Sequence, residues 1–153
     1  MSYADQVAAK KRRGRRPGWS SAAQELVNRV FVYGSLRQGQ SARSLIAESI
    51  SGAEPATMPG TLYALPDGYP VITEGDSPVV GELLELSDLT AALPLLDAYA
   101  GDEYTRTLRQ ATLRDGSQVW SWVYTNAKPE LLASAVLIES GDWDEFVTET
   151  LFT

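Results

Sequence analysis

The sequence predicts a single α+β domain, and three observations predict it. A β-rich middle carries two turn signals, Pro66-Asp67-Gly68 and Asp115-Gly116, each between runs of strand-forming residues. A leucine-faced helical stretch stands between the two groups of strands. The length, 153 residues, suits one sizeable core, since a chain of that size buries about 70 % of its unfolded surface.

In chain order, residues 1–18 read as a flexible basic arm: a like-charge run with no periodic apolar face and a Pro17-Gly18 exit. The domain is expected over 19–153. Ser20 or Ser21 caps a short helix through Asn28, with Glu25 in its body and Leu26 and Val27 available for packing. Val30, Phe31, Val32 and Tyr33 form a buried strand that breaks at Gly34. Ser41 starts a further helix over 41–49. Residues 60–65 and 79–86 read as strands, with Pro66 presetting φ and Gly68 allowing a positive φ in the turn between them. Ser87 or Asp88 caps a helix that places Leu89, Leu93 and Leu96 on one face; Pro94 kinks or restarts it, and Gly101 ends it. Strands over 104–113 and 117–124 follow, joined at Asp115-Gly116. Trp120, Trp122 and Tyr124 share one face of the second strand and Val119, Ser121 and Val123 the other, the pattern of a sheet face that covers a core. The segment around Gly141-Asp142-Trp143 packs Trp143 and Phe146 back onto the domain.

Composition limits the chemistry. The chain has no histidine and no cysteine, which excludes a Ser-His-Asp triad, a cysteine nucleophile, a thiolate or imidazole zinc site and a disulfide. Proton transfer falls to Asp, Glu, Lys or Tyr. The net charge of −7 hides two unlike segments: six of the 13 basic residues precede Pro17 with one acid, a net +5, and the rest carries 7 basic against 19 acidic groups, a net −12. The acidic body repels nucleic acid, so any such contact is expected only through the basic arm at residues 10–16. No apolar run of about 18 residues offers a membrane span, and the N-terminus lacks the apolar stretch of a secretory signal, so the expected location is cytoplasmic with no membrane partner.

The sharpest local feature is Phe31-Val32-Tyr33-Gly34-Ser35-Leu36. A strand that turns sharply at Gly34 leaves the N–H groups of residues 34–36 without ladder partners, and convergent free donors hold a carboxylate or an oxyanion. A side chain at position 34 is expected to penalise a positive φ and to intrude on the ligand. The alternative is an ordinary strand-to-loop turn.

Further blocks follow at ordered spacings: Gly60-Thr61-Leu62-Tyr63, Tyr69-Pro70-Val71-Ile72, Val80-Gly81-Glu82-Leu83, Leu96-Asp97-Ala98-Tyr99-Ala100-Gly101 with Glu103-Tyr104-Thr105-Arg106, Trp122-Val123-Tyr124 and Ser140-Gly141-Asp142-Trp143. Together with the Tyr33-Gly34-Ser35-Leu36 turn they resemble the γ-glutamylcyclotransferase-like family, in its avirulence-induced-gene branch, over about residues 29–145. The resemblance implies a small mixed β-barrel flanked by short helices, with one ligand cavity. It implies that Tyr33, Gly34, Ser35 and Leu36 cradle a γ-glutamyl group, and that the substrate's α-amine attacks its own γ-carbonyl to give 5-oxoproline and a free amine. Tyr104 and Tyr124 either line the cavity with their hydroxyls or serve as core aromatics. No metal or cofactor is called for; the partner is a small γ-glutamyl molecule.

The chain departs from its family at one place. The family pattern is Leu-Asp-x-Tyr-Glu-Gly, with the Glu as general base; here Ala100 holds that position. Three readings stay open: an engineered Glu-to-Ala change, a natural homologue that only binds, or a neighbouring acid in the role, Glu103 first and Glu82 next. Asp97 reads as structural, bonding backbone donors near the turn, and Arg106 as half of an ion pair with Asp97 or with another acid.

Overall fold

A computed structural model describes residues 18–24 and 26–152; the arm up to Pro17, and Glu25, lie outside the described residues. Its centre is a closed sheet of five strands. Strand β1 (Arg29–Val32) pairs antiparallel with β3 (Pro70–Leu86), β3 with β2 (Ile50–Ala64), β2 with β4 (Tyr104–Leu113), and β4 with β5 (Gln118–Asn126). The parallel contact of Val30 with Trp122 joins β5 back to β1 and closes the circuit. Each strand thus has a neighbour on both sides, which removes the unpaired edges of an open sheet. A short β6 (Val136–Leu137) extends β2 at Tyr63 and Ala64.

Alternation along the strands divides the core in two. Phe31 and Tyr33 join Met58, Leu62, Ile72 and Leu83 in one buried cluster, while Val30 and Val32 join Leu84, Leu86, Leu108 and Trp122 in the other. The second cluster includes Ala92 and Leu96 of helix α2 (Leu89–Ala100), so it is the outer face of the sheet beneath the helix. Asp88 caps α2 by accepting from the Ala91 N–H at 3.1 Å, and the helix runs through Pro94, whose freed carbonyl partner Thr90 sits at an exposed position. The Trp122 and Tyr124 face packs under α2 and Val123 falls on the opposite side, as the period of two predicts. Helix α3 (Trp143–Phe152) returns Trp143 to the first cluster with Phe146 stacked on it, ring centroids 5.7 Å apart.

Four elements differ from expectation. Helix α1 spans only Ser21–Gln24; Leu26 is 81 % exposed, so no apolar face extends the helix toward Asn28. Residues 41–49 form two 3₁₀ turns, Arg43–Leu45 and Ala47–Ser49, rather than an α-helix. Ile46 is the single buried residue there, an anchor rather than a helical face. Strands β2 and β3 are 15 and 17 residues long, far beyond 60–65 and 79–86. Their register shifts between Gly60, opposite Ser77, and Thr61, opposite Thr73, so residues 74–76 form a bulge that bends the hairpin into the barrel wall.

Candidate active site

A cavity of about 490 Å³ opens where the end of β1, the β2–β3 turn and the corner between α2 and β4 meet. Its lining includes Tyr33, Gly34, Ser35 and Leu36 from the turn after β1, Ala100 and Glu103 from the corner, and Tyr104 and Tyr124 from the β4–β5 hairpin. Glu82 is not among the lining residues. It accepts from the Gln38 N–H and pairs with Arg43 at 2.9 Å, holding the loop behind the turn.

The turn is fixed by Tyr33. Its buried hydroxyl donates to the Tyr124 carbonyl at 2.6 Å and accepts from the Ile72 N–H at 3.2 Å, tying β1 to β5 and β3. Burial pushes the Tyr33 hydroxyl pKa up, against a smaller lowering by the Ile72 hydrogen bond. With both functions engaged, Tyr33 positions the turn. Gly34 corrects the expected backbone argument: it is absent from the glycines with positive φ among the described residues. What requires glycine is close packing, because a Cβ at Gly34 would lie 2.5 Å from Cγ of Pro70. The carbonyls of Gly34 and Ser35 accept from the Arg37 and Ala42 N–H groups, whereas the N–H groups of Ser35 and Leu36 donate to no protein group among the described residues. Two free donors therefore stand at the cavity wall, the chemistry of an oxyanion or carboxylate cradle.

Behind the turn, Arg37 reaches Asp142 at 2.9 Å and Asp144 at 3.3 Å, and Gln40 donates to Asp144 at 2.8 Å. The Asp142 carboxylate also accepts from the Asp144 and Glu145 N–H groups at the start of α3, so the loop is fastened to that helix.

The opposite wall begins where α2 ends. Gly101 adopts φ 74° and donates its N–H to the Asp97 carbonyl at 3.1 Å, reversing the chain so that Ala100, Asp102 and Glu103 all reach the cavity. Asp97 bonds side chains rather than the expected backbone donors: its carboxylate binds the Arg106 guanidinium through two contacts, 2.9 and 3.3 Å, and accepts from the Tyr124 hydroxyl at 2.6 Å. Arg106 in turn lies 4.4 Å over the Trp122 ring. Tyr104 donates to the Pro70 carbonyl at 2.6 Å. Burial pushes both hydroxyl pKa values up; the negative charges of Asp67 and Glu103 add to the rise at Tyr104, and the bond to Asp97 adds to it at Tyr124. Tyr104 and Tyr124 thus contribute ring surface and acceptor lone pairs to the cavity, with their protons already committed to Pro70 and Asp97.

Among the lining residues not singled out from the sequence as cavity residues, five carry polar side chains: Asp67, Tyr69, Tyr99, Asp102 and Lys128. Tyr99 meets Ser35, hydroxyl to hydroxyl, at 2.6 Å and bridges the two walls. Lys128 follows β5, at the hairpin end where the Ala127 N–H binds the Glu103 carbonyl at 2.9 Å. A lone lysine beyond a strand carries no pattern of its own; only the β4–β5 register brings it to the corner.

Comparison with known proteins is consistent with this geometry. The model of the γ-glutamyl cyclotransferase, AIG2-like family matches residues 30–145, so the chain belongs to that family. A γ-glutamylcyclotransferase family protein of Citrobacter rodentium is 35 % identical over 117 residues, covering 75 % of this chain and 94 % of the relative. A γ-L-glutamyl-butirosin B γ-glutamyl cyclotransferase of Niallia circulans is 30 % identical over 102 residues, covering 62 % and 65 %. The fold is that of a mouse AIG2-like protein of known structure, with a TM-score of 0.56, 24 % identity and coverage of 69 % of this chain and 82 % of that one. No helix among the described residues is long and apolar enough to cross a membrane.

Proposed function

We propose that this domain converts the glutamyl end of a γ-glutamyl amine or amide to 5-oxoproline, releasing the amine, at a rate held down because Ala100 stands where the family carries its general base. The observation that supports the reading is the convergence of the free Ser35 and Leu36 N–H groups with the Ala100 corner on one cavity. The reaction is intramolecular and needs no protein nucleophile or cofactor. A bond forms from the α-nitrogen to the carbon of the γ-carbonyl, the bond from that carbonyl carbon to the leaving nitrogen breaks, and the leaving nitrogen gains a proton as the α-nitrogen loses one. Ring closure comes with a large effective molarity, so the protein has to hold the chain folded, stabilise one oxyanion and accept one proton.

In this reading the first two needs are met by the turn. The oxyanion forming on the γ-carbonyl accepts from the Ser35 and Leu36 N–H groups, held by the Tyr33 bonds and the Gly34–Pro70 contact. The third need is the weak one, because at neutral pH the α-nitrogen is an ammonium with no lone pair and the Ala100 methyl accepts nothing. Glu103 lines the same cavity, which favours it over Glu82 as a substitute acceptor. One relative carries γ-L-glutamyl-butirosin B in its name, and the Citrobacter relative specifies no leaving group. The proposal accordingly stops at the γ-glutamyl end that such substrates share.

The Ala100 methyl also favours a second reading, a binding module that holds a γ-glutamyl or related small polar ligand without turning it over. Incubating the purified chain with γ-glutamyl amides, and following 5-oxoproline and free amine together with binding by calorimetry, separates the two. Slow equimolar release of both products supports the enzyme. Binding without any release supports the module, and neither binding nor release rejects both.

A further inference from the structure

Among the described residues Lys128 is the one basic residue that lines the cavity, and its ammonium makes no hydrogen bond or ion pair with any of them. In a body with 7 basic against 19 acidic groups, Arg37, Arg43 and Arg106 each have a carboxylate partner, whereas the Lys128 ammonium stands at the cavity without one. Glu103 sits beside it in the fold: the Ala127 N–H binds the Glu103 carbonyl, and Tyr104 stands opposite Asn126 in the ladder, so residues 103 and 128 leave the β4–β5 hairpin at the same end. The Glu103 carboxylate likewise has no hydrogen bond or ion pair among the described residues. A cation and an anion placed side by side on one cavity wall, each without a partner, are complementary to a zwitterion.

Resting on the cyclotransferase reading, we propose that Lys128 is the carboxylate-recognising residue of the cavity, pairing with the α-carboxylate of the γ-glutamyl group while Glu103 takes the adjacent α-ammonium. An α-amino acid head presents the two charges on one carbon, so neighbouring opposite charges fit it and reject a γ-glutamyl compound whose α-carboxylate is blocked. The competing assignment for Lys128 is a carboxylate on the leaving group. The acids Asp67 and Asp102, which line the same cavity, argue against a general preference for anionic leaving groups. The arrangement also fixes the direction of the glutamyl chain: with its head at the hairpin end, the γ-carbonyl is left to reach the Ser35 and Leu36 donors. Lys128 acts here by binding and orienting, and takes no proton in the reaction.

The test uses the full chain and its Lys128→Gln and Lys128→Arg forms, with calorimetry against three probes: γ-glutamyl-alanine, the same compound with the α-carboxylate amidated, and γ-glutamyl-methylamide, whose leaving group has no carboxylate. The wild-type chain should bind γ-glutamyl-alanine and γ-glutamyl-methylamide similarly and the amidated probe about 10-fold or more weakly, the usual worth of a charge-assisted contact. Lys128→Gln should weaken the two α-carboxylate probes by about the same factor and lose the discrimination, and Lys128→Arg should largely restore it. If Lys128→Gln still discriminates against the amidated probe, the assignment is overturned. If it weakens only γ-glutamyl-alanine, the partner is the leaving-group carboxylate and the assignment is again overturned. Absence of binding of any probe to the wild-type chain defeats the cyclotransferase reading itself, an outcome distinct from equal binding by wild type and variant.

Discussion

The turn after β1 and the corner between α2 and β4 line the same cavity and touch through Ser35 and Tyr99, yet they are held in opposite ways. The turn is over-determined. Tyr33 is bonded on both sides of its hydroxyl, Gly34 is packed against Pro70, and the loop behind is fastened by Arg37 and Arg43 to three carboxylates. At the corner, Asp97 and Gly101 carry the bonds that fix the backbone, while Ala100, Asp102 and Glu103 present side chains with no hydrogen bonds to the protein among the described residues. Groups that aim backbone donors must not move, and they carry no titratable function. In the proposed reading, the residues that would exchange a proton or set selectivity sit at the corner, where the side chains of Asp102 and Glu103 are not tied into the fold and Ala100 holds the position read as that of the base.

The sharpest way to break the comparison is to disturb the rigid wall. Gly34→Val places side-chain atoms where Pro70 already is, so the turn must shift, and affinity for a γ-glutamyl ligand measured by calorimetry should fall about 100-fold or more, since displacements near 1 Å cost that much in positioned sites. The barrel should remain folded by circular dichroism. Unchanged affinity in a folded variant would remove the ligand from this turn.

Tyr33→Phe tests the wall by its stability. It leaves the Tyr124 carbonyl and the Ile72 N–H without their partner in a buried setting, and denaturant unfolding should show a loss of about 2 kcal/mol or more. The same variant should change the alkaline limb. The Tyr33 pKa is raised in the folded chain, so its contribution is complete below about pH 10, the ordinary tyrosine value, and is lost as pH rises above it, when only the unfolded chain ionises. Between about pH 10 and 11, stability of Tyr33→Phe should therefore decline less steeply than that of the wild type. An identical slope would show that Tyr33 ionises as freely in the folded state as in the unfolded one.

The smallest effect is expected far from both walls. Removing residues 1–18 deletes no periodic apolar face, while Trp19, edge-on to Trp120 with centroids 5.5 Å apart, is retained, so melting temperature and ligand affinity should be nearly unchanged. Salt-sensitive polynucleotide binding by the full chain alone would give the arm a separate role.

The rigid wall was also the legible one. The run 30–33 ending at Gly34, the Asp115-Gly116 hairpin and the Asp88-capped leucine face are local patterns, and each appears where its residues place it. The long arms of β2 and β3 were not legible, because Pro55, Pro59, Gly75 and Pro78 read as loop until barrel closure sets Pro59 opposite Pro78 and turns residues 74–76 into a bulge. The reason for Gly34 was hidden likewise, since Pro70 approaches it from another strand. At the cavity, Glu103 was found through its place three residues after Ala100, but Lys128 and Tyr99 reach the site only through the closed barrel and the Ser35 contact, which no local spacing encodes.

The central claim is that the rigid wall is complete and the proton acceptor at position 100 is what the cavity lacks. The direct measurement is 5-oxoproline release from a γ-glutamyl amide by the wild-type chain, Ala100→Glu and Ala100→Gln under one set of conditions. A carboxylate at that position should raise the rate by about 10²-fold or more, the ordinary worth of a general base, and the amide of nearly the same shape should give no such gain. A wild-type chain that is already fast, and loses that rate on Glu103→Gln, would contradict the claim and move the base to Glu103.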